Sequence, residues 1–130
     1  AEEVEFINCT FVQENVDYNV WTYGAGKVLF KDCEFSCKGK AVLVYNEGTQ
    51  ATQTVEFQNC KFTASAAVEG KAAIEIDSYG TSYDVIIDKA TADQVESFGL
   101  GSQSNNSVWN VKRLVKPVTV TVDGTVVYSK

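Results

Sequence analysis

Along the chain, branched and aromatic residues alternate with polar ones in short runs, and three of the runs share one pattern. They are Val4-Glu5-Phe6-Ile7-Asn8-Cys9-Thr10-Phe11, Val28-Leu29-Phe30-Lys31-Asp32-Cys33-Glu34-Phe35 and Val55-Glu56-Phe57-Gln58-Asn59-Cys60-Lys61-Phe62. A degenerate fourth follows at Val85-Ile86-Ile87-Asp88-Lys89-Ala90-Thr91-Ala92. Cys9, Cys33, Cys60 and Ala90 follow one another at intervals of 24, 27 and 30 residues, as in a solenoid with loops of variable length. Val and Phe two apart lie on one face of a strand. Asn or Asp then marks a corner, where a short polar side chain bonds local backbone and tolerates unusual φ/ψ. Beyond it, Cys and Phe alternate inward again. A one-residue corner between two inward-facing strands suits a coil bent round a shared interior better than a hairpin.

A weaker column lies between these units. Val20-Trp21-Thr22-Tyr23, Val42-Leu43-Val44-Tyr45, Ala73-Ile74-Glu75-Ile76 and Val108-Trp109-Asn110-Val111 align behind matching turns at Gly39-Lys40-Ala41 and Gly70-Lys71-Ala72. This frame predicts one inward stack of Trp21, Leu43, Ile74 and Trp109, and another of Tyr23, Tyr45, Ile76 and Val111. After Pro117, Val118-Thr119-Val120-Thr121-Val122 alternates, Asp123-Gly124 supplies a hairpin turn, and Thr125-Val126-Val127-Tyr128 alternates back. The expected fold is all-β: a right-handed parallel β-helix of about four coils over residues 1–116, with a C-terminal β-hairpin cap at 117–130 in the same domain. An antiparallel β-sandwich is the alternative, but it leaves the recurrent Asn/Asp-Cys-x-Phe unit unexplained.

Composition narrows the function classes. A chain of 130 residues forms one domain, and 45% hydrophobic residues mark it as folded. A net charge of −6 repels phosphate backbones and anionic lipid, so neither nucleic acid nor membrane insertion is expected, and no apolar run reaches the ~18 residues of a membrane span. Lys112, Arg113 and Lys116 form a basic cluster that reads as solvated strand-edge charge. The start, Ala1-Glu2-Glu3, is acidic, lacks an apolar signal-peptide stretch and has no initiator Met; a processed chain or excised domain is expected. No cap is visible before Val4, so either Ala1–Glu3 ends a truncated helix, or another part of a longer protein or another subunit is expected over that edge.

The chain has no His, which removes Ser-His-Asp and Cys-His nucleophile systems and the commonest metal ligand. Gly24-Ala25-Gly26-Lys27 lacks the phosphate-loop spacing and reads as a turn. Cys9, Cys33 and Cys60 share one repeat position; parallel side chains about 4.8 Å apart are poorly placed for disulfides, so a reduced core ladder ending in Ala90 is expected. Without a C-x-x-C pair no zinc site is expected. Cys37 falls outside the ladder, in a turn, and is the thiol expected to be exposed. No cofactor, metal or catalytic residue is predicted.

At V-x-F-x-(N/D)-C-x-F, carried by Val4–Phe11, Val28–Phe35 and Val55–Phe62, the chain resembles right-handed parallel β-helix repeat proteins of the pectate-lyase-like class from bacterial surfaces. The resemblance runs from Val4 to Val111. That class includes polysaccharide lyases and hydrolases, phage tailspikes, adhesins and proteins without known activity, so it implies architecture and leaves activity open. It also implies sugar binding along an outer strand face. Alternation turns Glu75 and Asp77 outward, with Asn46 on the preceding rung and Lys112 on the next; these four are the candidate ligand-binding residues. Neighbouring Thr22, Val44 and Asn110 do not complete a catalytic set, and ordinary solvated strand charge is the competing reading. Trp21 and Trp109 would stack on sugars if exposed, but the frame turns both inward. Tyr18, Tyr79 and Tyr83 lie in turn-rich segments and are expected to be partly exposed.

The expected function is that of a non-catalytic extracellular or cell-surface domain contacting polysaccharide, or acting as adhesin or spacer. A carbohydrate-active enzyme, or a fragment of one, is the first alternative. The second is a structural assembly unit pairing through its open N-terminal coil.

Overall fold

The computed structural model describes residues 2–46 and 51–130. Ala1, part of the acidic start, lies outside the described residues. Strands follow one another in threes. The first coil is β1 (Glu3–Ile7), β2 (Thr10–Val12) and β3 (Val20–Trp21). The second is β4 (Lys27–Lys31), β5 (Glu34–Cys37) and β6 (Val42–Val44), and the third β7 (Thr52–Gln58), β8 (Lys61–Ala64) and β9 (Ile74–Ser78). The fourth comprises β10 (Ser82–Ile87), a one-turn helix α1 (Lys89–Ala92), β11 (Val95–Glu96) and β12 (Trp109–Leu114). Every third strand pairs in parallel, giving a first sheet β1-β4-β7-β10, a second sheet β2-β5-β8-β11 and a third sheet β3-β6-β9-β12. This is a parallel β-helix of about four coils. β13 (Val118–Val122) adds a fifth parallel rung to the first sheet, and β14 (Thr125–Ser129) returns antiparallel beside it. Asp123 and Gly124, both at positive φ, make the turn between them.

Parallel register places like residues on like. Phe6, Phe30, Phe57 and Ile87 form one inward ladder, with successive rings stacked at centroid distances of 5.2 and 5.1 Å. Phe11, Phe35 and Phe62 form a second, at 5.0 and 4.5 Å. These distances are close to the ~4.8 Å strand spacing, so the backbone itself sets the ring stacking. Between the ladders Asn8, Asp32 and Asn59 turn the corner at φ of 55°, 54° and 49°, a left-handed conformation that Asn and Asp adopt at low cost. Asn59 Nδ2 donates to Asp32 Oδ1 at 2.8 Å, tying neighbouring corners together. All four cysteines are thiols. Cys33 Sγ donates to the Phe6 carbonyl at 3.3 Å and Cys60 Sγ to that of Phe30 at 3.4 Å, each reaching one rung back. Burial raises both thiol pKa values, that of Cys60 to about 12.

Four expectations are corrected. In the fourth repeat Asp88 stays extended and caps α1, accepting from the Thr91 amide at 2.8 Å. The extra turn carries Ala90 to the surface. Thr91 is buried instead, its hydroxyl accepting the Cys60 amide at 2.9 Å, and Val95 rather than Ala92 lies beside Phe62. Cys37 is buried at the end of β5, paired in register with Ala64. Tyr83 is buried on the inner face of β10, and Tyr18 is buried as well.

The fourth correction is to the register of the third sheet. Val20, Val42, Ile74 and Trp109 lie in one row, and Trp21, Leu43, Glu75 and Asn110 in the next. Between Gly70 and Ile74 there is one more residue, Ala73, than between Gly39 and Val42. Aligning the two glycine turns therefore slips the frame by one, and a one-residue slip exchanges the faces of a strand. Trp21 faces outward; Trp109 faces inward, with its ring centroid 5.6 Å from that of Tyr128 on β14.

Candidate functional site

The outer face of the third sheet carries a groove of about 450 Å³. Its wall is built from Asp17 and Tyr18 in the loop before β3, Trp21 on β3, Leu43 and Tyr45 from the β6 rung, Asp77 on β9, and Lys112 and Arg113 on β12. Outward side chains at the same register position stack one above another, so four rungs lay a continuous row of groups along the coil axis. Trp21 remains 53% exposed and meets the Tyr45 ring edge-on, at 5.9 Å between centroids.

Across the groove, β12 carries a bulge. Its register shifts between Val111 and Arg113, so that Arg113, not Lys112, lies opposite Asp77. Bulges re-aim side chains in this way. Arg113 binds Asp77 through two parallel contacts, Nε to Oδ1 at 2.7 Å and Nη2 to Oδ2 at 3.0 Å. Its guanidinium also lies over the Tyr79 ring, 4.5 Å from the centroid. A buried carboxylate held by a planar cation resembles a fixed dipole more than an acid-base group. Lys112 is exposed at the groove wall.

Tyr18 forms part of the floor. Burial, together with the nearby charges of Glu75, Asp77 and Asp17, pushes its phenol far above the ordinary value. Tyr18 Oη has no hydrogen-bond partner among the described residues. A buried hydroxyl left in this state costs about 1–3 kcal/mol until water or a ligand meets it. Lys40 Nζ lies 5.4 Å from the ring centroid of the same side chain.

Of the four residues expected here, Asp77 and Lys112 line the groove and two do not. Glu75 points away from the coil interior, but it is fully buried. Its carboxylate accepts from the Ala72 amide at 2.7 Å and from Asn110 Nδ2 at 2.9 Å, with Lys71 Nζ at 4.0 Å. The loop after β11 folds back over this position: Asn110 Oδ1 accepts the amides of Gln103 and Ser104 at 2.9 and 3.1 Å. Burial raises the Glu75 pKa against the opposing pull of Asn110, Ala72 and nearby lysines. Asn46 is buried inside the coil, where its amide donates to Tyr83 Oη at 2.7 Å and its side-chain oxygen accepts the Gly24 amide at 3.2 Å. In the observed register Val42 and Val44 face inward, so alternation carried on from β6 turns Asn46 inward too; the slipped frame faces it outward.

Sequence reasoning missed Trp21, Leu43 and Tyr45 because the slipped frame faced all three inward. It missed Tyr18 and Asp17 because loop residues carry no repeat position. A larger hollow of about 630 Å³ follows the loop after β2, lined by residues such as Gln13, Glu14 and Lys38, but it contains no aromatic ring. Among the described residues no cluster of acidic, Cys or His side chains could hold a metal ion, and no helix is long and apolar enough to cross a membrane.

Fold and groove together define a parallel β-helix domain with an aromatic and ion-paired outer face. No protein-family model matches the chain, and neither a curated protein nor a solved structure matches it significantly.

Proposed function

We propose that this chain is a non-catalytic domain of the extracellular or cell-surface kind, in line with its resemblance to pectate-lyase-like bacterial repeat proteins, and that it contacts polysaccharide through the groove on its third sheet. The observation that carries this reading is the outward Trp21 ring beside Tyr45, facing the Asp77–Arg113 pair. A sugar presents an apolar face of C–H groups and a rim of hydroxyls. An exposed indole matches the first, and a fixed carboxylate–guanidinium pair matches the second. Tyr18 lines the floor beneath them. A row of rungs suits an extended polymer. Asp77 is committed to Arg113, which favours binding over acid catalysis.

Oligosaccharide arrays followed by calorimetry on the hits test this reading. Trp21→Ala should weaken binding about tenfold or more, equivalent to about 1.4 kcal/mol, while leaving the fold intact. Arg113→Ala should weaken it as well. Undiminished affinity in Trp21→Ala would count against the groove. Release of unsaturated uronic-acid products in the presence of calcium would replace binding with catalysis.

A further inference from the structure

Over the third sheet an amine, a carboxamide and a carboxylate meet at one point, and none of the three lines the groove. Glu75 Oε1 accepts from Asn110 Nδ2 at 2.9 Å and lies 4.0 Å from Lys71 Nζ. Its other oxygen, Oε2, accepts the Ala72 amide at 2.7 Å. The Glu75 carboxylate is fully buried, and the Lys71 side chain is only 24% exposed. One carboxylate oxygen therefore serves both the amine and the amide nitrogen.

Asn110 is held as an electrophile. It is buried on β12, and its register partner on β9 is Glu75. Asn110 Oδ1 accepts the amides of Gln103 and Ser104 at 2.9 and 3.1 Å. These contacts fix which end of the carboxamide is oxygen, because a flipped group would point its own N–H at two N–H donors. Two backbone N–H groups on one carbonyl oxygen also stabilise the oxyanion that forms when a nucleophile adds to the carbon. Gly101 packs against the group so closely that a Cβ there would lie 2.6 Å from Asn110 Cγ, which clamps the carboxamide in place. A side chain that only fastened the loop would need the two amide contacts alone. Here the nitrogen end is also presented to a buried acid beside an amine.

We propose that Lys71 and Asn110 join in an isopeptide bond, with Glu75 moving the protons. Glu75 takes a proton from the Lys71 ammonium, and the freed Nζ lone pair attacks Asn110 Cγ. The carbonyl electron pair moves onto Oδ1, where the two amides hold it. Glu75 delivers protons from Nζ to Nδ2, the Cγ–Nδ2 bond breaks, and the carbonyl re-forms. Lys71 keeps one proton as the new amide N–H, two leave with Nδ2 as ammonium, and no oxidant or other reactant enters. Burial raises the Glu75 pKa, which brings it nearer to that of the amine it deprotonates. The flexible four-carbon stem of Lys71 closes the remaining distance by a change of rotamer. The product ties the turn before β9 to β12, and so the third coil to the fourth, in a ring that unfolding cannot open.

Intact-mass spectrometry of the full chain tests this. The folded protein, kept at physiological temperature, should be lighter than its sequence by about 17 Da, the mass of the ammonia lost. Trypsin should not cut after Lys71, and residues 62–89 should be recovered joined to residues 90–112. Lys71→Arg keeps the positive charge but lacks the amine nucleophile, and should retain its full mass. Glu75→Gln, nearly the same in shape, should do likewise, with circular dichroism checking the fold of both. A folded parent that retains its full mass, with trypsin cutting after Lys71, would overturn the proposal. So would the same loss of mass in Lys71→Arg, which would place the lost ammonia in a succinimide at an asparagine. A linked Glu75→Gln chain would overturn the part given to Glu75.

Discussion

Two corners of the coil carry the chain between sheets by opposite means. From the first sheet to the second, one left-handed Asn or Asp does so in the first three coils, and the interior behind it is a dry stack of Phe rings and thiols. From the third sheet back to the first, the turn is longer and the interior is polar. Gln53 reaches across from β7, donating to the carbonyls of Ala25, at 2.8 Å, and Thr22, while its oxygen accepts from the Thr22 hydroxyl at 2.9 Å. One rung on, Asn46, Tyr83 and Thr81 bond to one another, and then Ser78 donates to the Lys116 carbonyl at 2.8 Å. The first corner repeats one solution over three coils before α1 replaces it, and the second finds a new one on each rung. A turn closed by its own φ/ψ leaves few loose backbone groups, whereas a longer turn strands carbonyls inside, and buried side chains must satisfy them.

Removing a ring from the dry corner should have the largest effect. Phe35 lies between Phe11 and Phe62 and meets Phe30 edge-on, with almost no exposure. Phe35→Ala should cost about 3–5 kcal/mol, read as a lower denaturation midpoint at unchanged slope. A loss under about 1 kcal/mol would mean that the ladder is not the main source of stability.

At the polar corner, Gln53→Leu keeps volume but removes both donors and the acceptor. It should cost about 1–3 kcal/mol, because the Ala25 and Thr22 carbonyls lose their partner in a buried site. If the variant were as stable as the parent, water would be filling the network, and the contrast between the corners would weaken.

This contrast also explains what could be read in the sequence. Phe6, Phe30 and Phe57 recur because each rung must present the same ring to the next, so repetition in space became repetition in the chain. Thr22, Gln53, Asn46 and Ser78 share a region but no residue type, and no periodicity could group them. The third sheet fell between the two cases. In Val42-Leu43-Val44 both faces are apolar, which hides the side that points inward, and the inserted Ala73 moved the frame. The bulge at Lys112 left no mark either, since Lys112 and Arg113 are equally basic neighbours.

The left-handed corner offers a finer test. Asp32→Ala places a Cβ without a compensating polar group at φ 54° and removes the acceptor for Asn59 Nδ2. A loss of about 1 kcal/mol is expected. Asp32→Gly should recover most of it, because glycine adopts positive φ freely. Equal losses in both variants would assign the cost to the hydrogen bond rather than to the backbone.

The smallest effect on stability is expected at Trp21, even though a Trp is removed. Its indole faces solvent, half exposed, with Tyr45 against it, so little buried area is lost. Trp21→Ala should leave unfolding within about 0.5 kcal/mol of the parent. Trp109 differs, because its row faces inward with Val20, Val42 and Ile74 and its ring meets Tyr128. Both tryptophans sit in a Val-Trp pair, and only the register of the third sheet separates them. A large loss of stability in Trp21→Ala would mean that the ring packs as core and that the groove does not have the aromatic wall on which polysaccharide binding rests. Unchanged stability combined with lost binding would locate the purpose of this side chain outside the fold.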